Sequence, residues 1–95
     1  MVNEKSPEQR GRENEILVVE YYRKQGYDVL NVNEKGFPDL IVLKDGKIEF
    51  LVEVKGGSHP VHTFQKELHE RLRRMGLKVK VVRVINGKIV EKITS

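Results

Sequence analysis

The dipeptide Asp45-Gly46 stands between two apolar runs, Leu40-Ile41-Val42-Leu43 and Ile48-Glu49-Phe50-Leu51-Val52-Glu53-Val54. An Asp-Gly pair in that setting selects a tight two-residue turn, because both central residues must adopt a positive φ. The chain is therefore committed to an antiparallel hairpin, with one strand from about Asp39 to Lys44 and the other from Lys47 to Lys55. Pro38 keeps the residue before it extended. Such a hairpin brings the start of its first strand beside the end of its second, so Asp39 approaches Glu53. Alternation places Ile48, Phe50, Val52 and Val54 on one face and Glu49, Leu51, Glu53 and Lys55 on the other. Two carboxylates and a lysine thus gather where strand periodicity calls for apolar or plain surface residues. They require a partner, an aqueous edge or a cation.

The remaining elements follow from periodicity and breakers. A polar lead-in over residues 1–11 contains Pro7, ends at Gly11 and reads as a flexible arm; residues 12–95 form a single domain. A first helix is predicted over 12–25, stopped by Gly26. Val18, Val19 and Tyr22 share one helical face with Glu15 in its midst, while Glu13 and Glu20 fall with Lys24 on the opposite side. A carboxylate in an apolar stripe suggests a role, although an acid in the first turn also suits the helix dipole. A strand over 27–32 and a polar connection, Asn33-Glu34-Lys35-Gly36, lead to the hairpin. After Gly56-Gly57-Ser58-His59-Pro60, a second helix runs from about His62 or Thr63 to Met75 and is closed by Gly76. Phe64, Leu68, Leu72 and Met75 are its expected apolar face, with Gln65 at the edge. Asn86-Gly87 is a second hairpin turn, joining strands over 78–85 and 88–93. The order is that of an α/β layer fold.

Composition removes several classes of function. With 95 residues and no Cys, the chain is one small domain without disulfides, thiolate metal sites or cysteine nucleophiles. Its size makes oligomerisation an expectation. No apolar run approaches the roughly 20 residues a membrane helix needs, and Met1-Val2-Asn3-Glu4-Lys5 has no signal-peptide core, so the expected compartment is the cytoplasm. A net charge of +4 and a pI of about 9.4 favour a polyanionic partner.

Asp39 and Glu53, held close, repel each other and raise one pKa unless a cation lies between them. Oxygen-only ligands suit Mg2+ or Mn2+ better than zinc. Lys55, on the same face as Glu53, can hold an attacking water and neutralise charge growing on a phosphate, the requirements of metal-assisted phosphodiester hydrolysis. The competing reading is a cross-strand salt bridge from Lys55, which contributes roughly 0–1 kcal/mol at a surface.

Pro38-Asp39 followed by Glu53-Val54-Lys55 resembles the motif of the PD-(D/E)XK nuclease superfamily. Phe50 to Gly56, Gln65-Lys66-Glu67-Leu68-His69-Glu70-Arg71-Leu72 and Val81-Val82-Arg83-Val84 together resemble its VRR-NUC branch, the virus-type replication-repair nucleases. The resemblance implies a restriction-endonuclease-like αβββαβ core with an added C-terminal strand, its mixed sheet flanked by helices. It implies further that Asp39, Glu53 and the carbonyl of Val54 bind a divalent metal, that Lys55 is the catalytic lysine, and that Gln65 lies beside them. Glu15 matches the first-helix acid that completes such a site, with Glu20 as the alternative. The spacing of Gly11, Glu15 and Gly26 is similar to that of archaeal Holliday junction resolvases, but the loop from Asn33 to Gly36 lacks their Ser.

The function implied is that of a Mg2+- or Mn2+-dependent, structure-selective DNA endonuclease, a homodimer cleaving Holliday junctions in repair or recombination, located in the host cytoplasm if viral. The alternatives are a non-enzymatic DNA-binding subunit of the same fold, or a nuclease acting on flaps, single strands or duplex ends. Arg10, Arg12, Lys35, Lys66 and Arg73 are the expected DNA contacts, within a basic set that also includes Arg74, Lys78, Lys80 and Arg83. His59, His62 and His69 have no Cys or Asp partners at zinc spacing, and His69, one turn after Gln65, is assigned to packing or surface, with lining the pocket or hydrogen-bonding a phosphate as the alternative.

Overall fold

The computed structural model of the chain describes residues 5–32 and 34–93, the side chains of residues 92 and 93 excepted. Its elements are α1 (Pro7–Lys24), β1 (Asp28–Asn31), β2 (Leu40–Lys44), β3 (Lys47–Gly56), α2 (Thr63–Arg74), β4 (Val79–Ile85) and β5 (Lys88–Ile93). The strands form one mixed sheet in the order β1-β2-β3-β4-β5. β1 to β3 make an antiparallel meander, β3 and β4 run parallel, and β5 returns antiparallel to β4. A parallel pair needs a crossover, and α2 supplies it. The architecture is the α/β fold expected from the sequence.

The turns do what their residues dictate. Asp45 and Gly46 adopt φ of 53° and 74°, and Asn86 and Gly87 adopt 51° and 73°, the positive values of tight hairpin turns.

α1 begins earlier than its periodicity suggests, and Pro7–Gly11 belong to the helix rather than to an arm. Ser6 is the N-cap: its hydroxyl accepts from the Gln9 amide at 3.2 Å while the Gln9 side chain accepts from the Ser6 amide at 2.9 Å. Pro7 then occupies the first helical turn, where its missing N–H costs nothing. The first four residues of the expected arm, and Asn33, lie outside the described residues.

Two expectations about burial are corrected. A bulge at Val42/Leu43 shifts the register from Val42–Phe50 to Leu43–Ile48. One β3 residue is thereby skipped, the alternation breaks, and Ile48 is 47% exposed instead of joining Phe50 in the core. On α2, Phe64 and Met75 are 53% and 74% exposed, and the buried residues are Gln65, His69 and Leu72. The inward stripe of that helix is thus rotated toward polar residues.

Each sheet face has its own apolar cluster. α1 sets Val18, Val19 and Tyr22 against Val29, Leu40, Val42, Phe50, Val52, Val82 and Val84. On the α2 face, Leu51, Leu72 and Val79 form a smaller cluster, flanked by Phe37, Ile41, Leu68 and Leu77. Among the described residues, no helix is long and apolar enough to cross a membrane.

Candidate active site

The hairpin positions the first carboxylate. β2 pairs with β3 up to Leu40–Val52, and the chain just before it, Pro38-Asp39, lies against the end of β3. Pro38 is fully buried and has no N–H to extend the ladder. Beside it the Asp39 carboxylate serves as a side-chain acceptor at the end of β3, its Oδ2 accepting from the Val54 amide at 2.8 Å. In an extended strand the carbonyl of a residue points to the same side as its N–H, so the Val54 carbonyl faces Asp39 as well.

Glu53, one residue earlier, projects to the α2 face and is 2% exposed. Its side chain is hydrogen-bonded with that of Asp39. From α2, Gln65 Nε2 donates to Glu53 Oε1 at 3.2 Å, and His69 Nε2 lies 3.4 Å from the same oxygen. Gln65 is held at its other end, where Oε1 accepts from the His62 amide at 3.0 Å, so one side chain both caps the helix and reaches the site.

The electrostatics follow from this crowding. Burial, then the hydrogen bond with and the charge of Glu53, push Asp39 from 3.8 up to about 7, against the opposing pull of the Val54 amide and Lys55. Burial also raises Glu53, opposed by the Asp39 hydrogen bond and Lys55. His69 is lowered, chiefly by burial and then by Arg73 and Lys55, which keeps a neutral imidazole beside the carboxylate. Lys55, half-buried, follows Glu53 by two residues on the same strand face. Two adjacent carboxylates, Glu53 buried and Asp39 partly buried, present oxygen donors of the kind that hard divalent cations take.

Glu15 reaches the neighbourhood from the other side of the sheet. The first half of α1 lies over the end of β3, so closely that a Cβ on Gly56 would meet Asn14 Nδ2 at 2.9 Å. Glu15 is partly buried, and its pKa is raised by that burial and by the charge of Asp39. The structure therefore gathers Asp39, Glu53, Lys55 and Gln65, with Glu15 within electrostatic reach. Among the described residues, however, no group of three or more His, Asp or Glu side chains is assembled tightly enough to hold a metal ion. Glu20 is exposed.

His69, for which the sequence favours packing or surface over a place in the pocket, lies beside Glu53. It is 2% exposed and faces Glu53 rather than solvent or an apolar core. The available signal was its spacing, four residues after Gln65 and hence on the same side of the helix.

The basic residues divide into two groups. Arg10, Arg12, Lys35 and Lys66 are exposed, and Arg10 lines an open groove of about 850 Å3 between α1, the loop after β3 and the β4–β5 turn. Others have structural partners. Arg73 donates to the Val79 carbonyl at 3.4 Å, and Arg83 donates to the carbonyls of Gly57 and His59 at 3.2 and 2.6 Å, fastening the loop after β3. Lys80 sits 3.9 Å from the Phe50 ring centroid and 3.7 Å from Glu91.

Comparison with known proteins bears on the family and the fold. The sequence model of the VRR-NUC domain matches residues 24–86. Among solved structures, Hjc of Archaeoglobus fulgidus, a Holliday junction resolvase from an archaeal hyperthermophile, is similar in fold with a TM-score of 0.71. The identity is 16%, over 88% of this chain and 72% of that one. A solved VRR-NUC domain gives a TM-score of 0.59 at 29% identity, covering 77% of this chain and 80% of its own. No curated protein matches the chain.

Proposed function

The chain belongs to the VRR-NUC domain family of nucleases, and from that premise we propose that it is a divalent-metal-dependent, structure-selective DNA endonuclease. The observation that carries the reading is the Asp39–Glu53 pair at the paired ends of β2 and β3, Glu53 buried and Asp39 partly so, with Lys55 on the same face as Glu53. Asp39, Glu53 and the Val54 carbonyl would hold Mg2+ or Mn2+, with Glu15 brought in on binding. When bound, the cation supplies charge neutralisation at the scissile phosphate and lowers the pKa of a coordinated water.

The protein's own groups do the rest. With a cation present, the proton that the raised pKa keeps on Asp39 would pass to solvent, so that both carboxylates would present anionic oxygens. Lys55 would hold the attacking water, which loses its proton to solvent as its oxygen bonds to phosphorus and the leaving oxygen departs with a proton from solvent. Lys55 would also donate to the phosphate oxygens on which negative charge grows during in-line displacement. Gln65 and His69 keep Glu53 from turning away. Arg10, Arg12, Lys35 and Lys66 lie free to meet the phosphate backbone, with Arg73 at the edge of that set.

We take the substrate to be branched DNA, and the active species to be a homodimer whose two sites cut a four-way junction symmetrically. The fold shared with a Holliday junction resolvase supports this choice. The test is cleavage of labelled four-way junctions, flaps, single strands and linear duplexes with Mg2+ or Mn2+. Junction cutting that is lost in Asp39→Ala is the expected result. Absence of cutting on every substrate overturns the enzyme reading and leaves a DNA-binding subunit. Full junction cutting by a species that sediments as a monomer overturns the paired-site model.

A further inference from the structure

Glu53 receives both of its α2 contacts on a single oxygen. Gln65 Nε2 lies 3.2 Å and His69 Nε2 3.4 Å from Oε1, and neither donor touches Oε2. Their positions, four residues apart on α2, put both side chains on one side of the helix. Neither is free to choose another pose. The amide of Gln65 is oriented by the His62 N–H at its oxygen end, which leaves only the nitrogen to face Glu53. His69 is enclosed, at 2% exposure, and Glu53 is the partner of its Nε2, which donates to the carboxylate in the Nε2-protonated tautomer.

The geometry points to a carboxylate clamp: Gln65 and His69 occupy Oε1 so that Glu53 meets a divalent cation through Oε2 alone, and the site thereby discriminates against Ca2+. Turning the carboxylate to share both oxygens with an ion would strand two buried donors, which is costly in an enclosed site. Ca2+ accepts six to eight oxygens and readily takes a carboxylate bidentately, whereas Mg2+ demands near-ideal octahedral geometry with single-oxygen contacts and retained waters. Fixing one oxygen of one ligand therefore separates the two ions. Groups that orient metal ligands typically change affinity by about 10- to 100-fold when removed. Gln65 and His69 act here as positioning residues, through Glu53.

This inference rests on the proposal that Asp39 and Glu53 hold a metal, and calorimetric titration of the full chain with MgCl2, MnCl2 and CaCl2, in the absence of DNA, separates the two. Wild type is expected to bind Mg2+ and Mn2+ in preference to Ca2+. His69→Leu, of similar bulk but without a donor, is expected to shift the Mg2+/Ca2+ affinity ratio about tenfold toward Ca2+, and His69→Gln to restore it. An unchanged ratio in His69→Leu, with Mg2+ still bound, overturns the clamp alone. No binding of any of the three ions by wild type, or binding undiminished in Asp39→Ala, overturns the metal reading beneath it. A crystal structure of the wild-type protein with Mn2+ decides the point without a variant: contact through Oε2 only supports the clamp, and a bidentate Glu53 sinks it.

Discussion

The two faces of the sheet carry different loads. On the α1 face, Val18, Val42, Val52 and Val82 are completely buried and Tyr22 is 1% exposed, all packed against apolar neighbours. On the α2 face the apolar cluster is smaller, and beside it lie Glu53, Gln65 and His69, the only polar or charged residues buried among those described. Apolar burial stabilises in proportion to area, whereas burying a carboxylate costs free energy unless donors or a cation compensate it. The domain thus keeps its stabilising core on one side and tolerates a strained polar cluster on the other. A small domain of marginal stability can hold such a cluster only if the opposite face is well packed.

The sharpest way to break this comparison is to damage the α1 face. Tyr22 packs edge-to-face on Phe50 and Tyr27, with ring centroids 5.2 and 6.1 Å away, and donates its hydroxyl to Glu91. Tyr22→Ala is expected to cost about 3–5 kcal/mol of stability, read as a lower urea midpoint at unchanged slope. A loss below about 1 kcal/mol would mean that this face is not the stabilising one.

The α2 face should respond in the opposite sense. Glu53→Gln keeps the shape but removes a charge that burial opposes, so the metal-free protein is expected to become more stable. Its cleavage rate should fall by more than about 100-fold, since even groups that only orient metal ligands are worth up to that much. Measured side by side, melting temperature and cleavage rate must move in opposite directions. A variant that is both less stable and fully active would show that Glu53 serves packing rather than chemistry.

How much of this could be read from the residues depends on how local each determinant is. Asp45-Gly46 specifies its turn within two residues, and the turn then brings Asp39 to Glu53, so the carboxylate pair and the order of elements were legible. Gln65 was visible at the edge of a helical stripe. His69 was visible only through its spacing one turn after Gln65, because burial beside Glu53 looks like neither apolar periodicity nor a charge pattern. Lys80 and Arg83 read as part of a basic track, yet their partners, Phe50 and Glu91 for one and the carbonyls of Gly57 and His59 for the other, are contacts that only the folded sheet and its loop create. The start of α1 was missed because Pro7 and Gly11 look like breakers, although Pro is favoured in a first turn. Glu15 showed its anomaly in the helical wheel, but how closely it approaches Asp39 is decided by the docking of α1.

The pH dependence of stability gives a subtler test of the same contrast. Asp39 is pushed from 3.8 to about 7, so between those values the folded chain keeps a proton that the unfolded chain has released. Its contribution is fully present below the unfolded value and is lost as pH rises toward 7, and Glu53, also raised, acts with the same sign. His69 acts in the other direction: its folded pKa lies below 6.5, so the unfolded chain takes up a proton that the buried imidazole refuses, and stability falls as pH drops through that value. In urea midpoints taken without metal from about pH 4 to 8, Asp39→Asn is expected to lose stability less steeply than wild type as pH approaches 7. Superimposable pH profiles would show that Asp39 is not confined as the structure describes, whereas Tyr22→Ala should lower the whole curve without changing its slope in this range.

The smallest expected effect tests where the stabilising face ends. Uninterrupted alternation along β3 would put Ile48 beside Phe50 in the α1-side core, and truncation to Ala would then cost about 2–5 kcal/mol. The bulge, which leaves Glu49 of β3 without a partner between Ile48 and Phe50, breaks that alternation and leaves Ile48 47% exposed near the hairpin turn. Ile48→Ala should therefore shift stability by only about 0.5 kcal/mol, the range of surface substitutions. The comparison is discriminating because Phe50, two residues on and 6% exposed, marks where full burial begins. A loss at Ile48 as large as that in Phe50→Ala would mean that the strand pairs without a bulge, which would shift the facing of either Ile48 or the segment carrying Glu53 and Lys55.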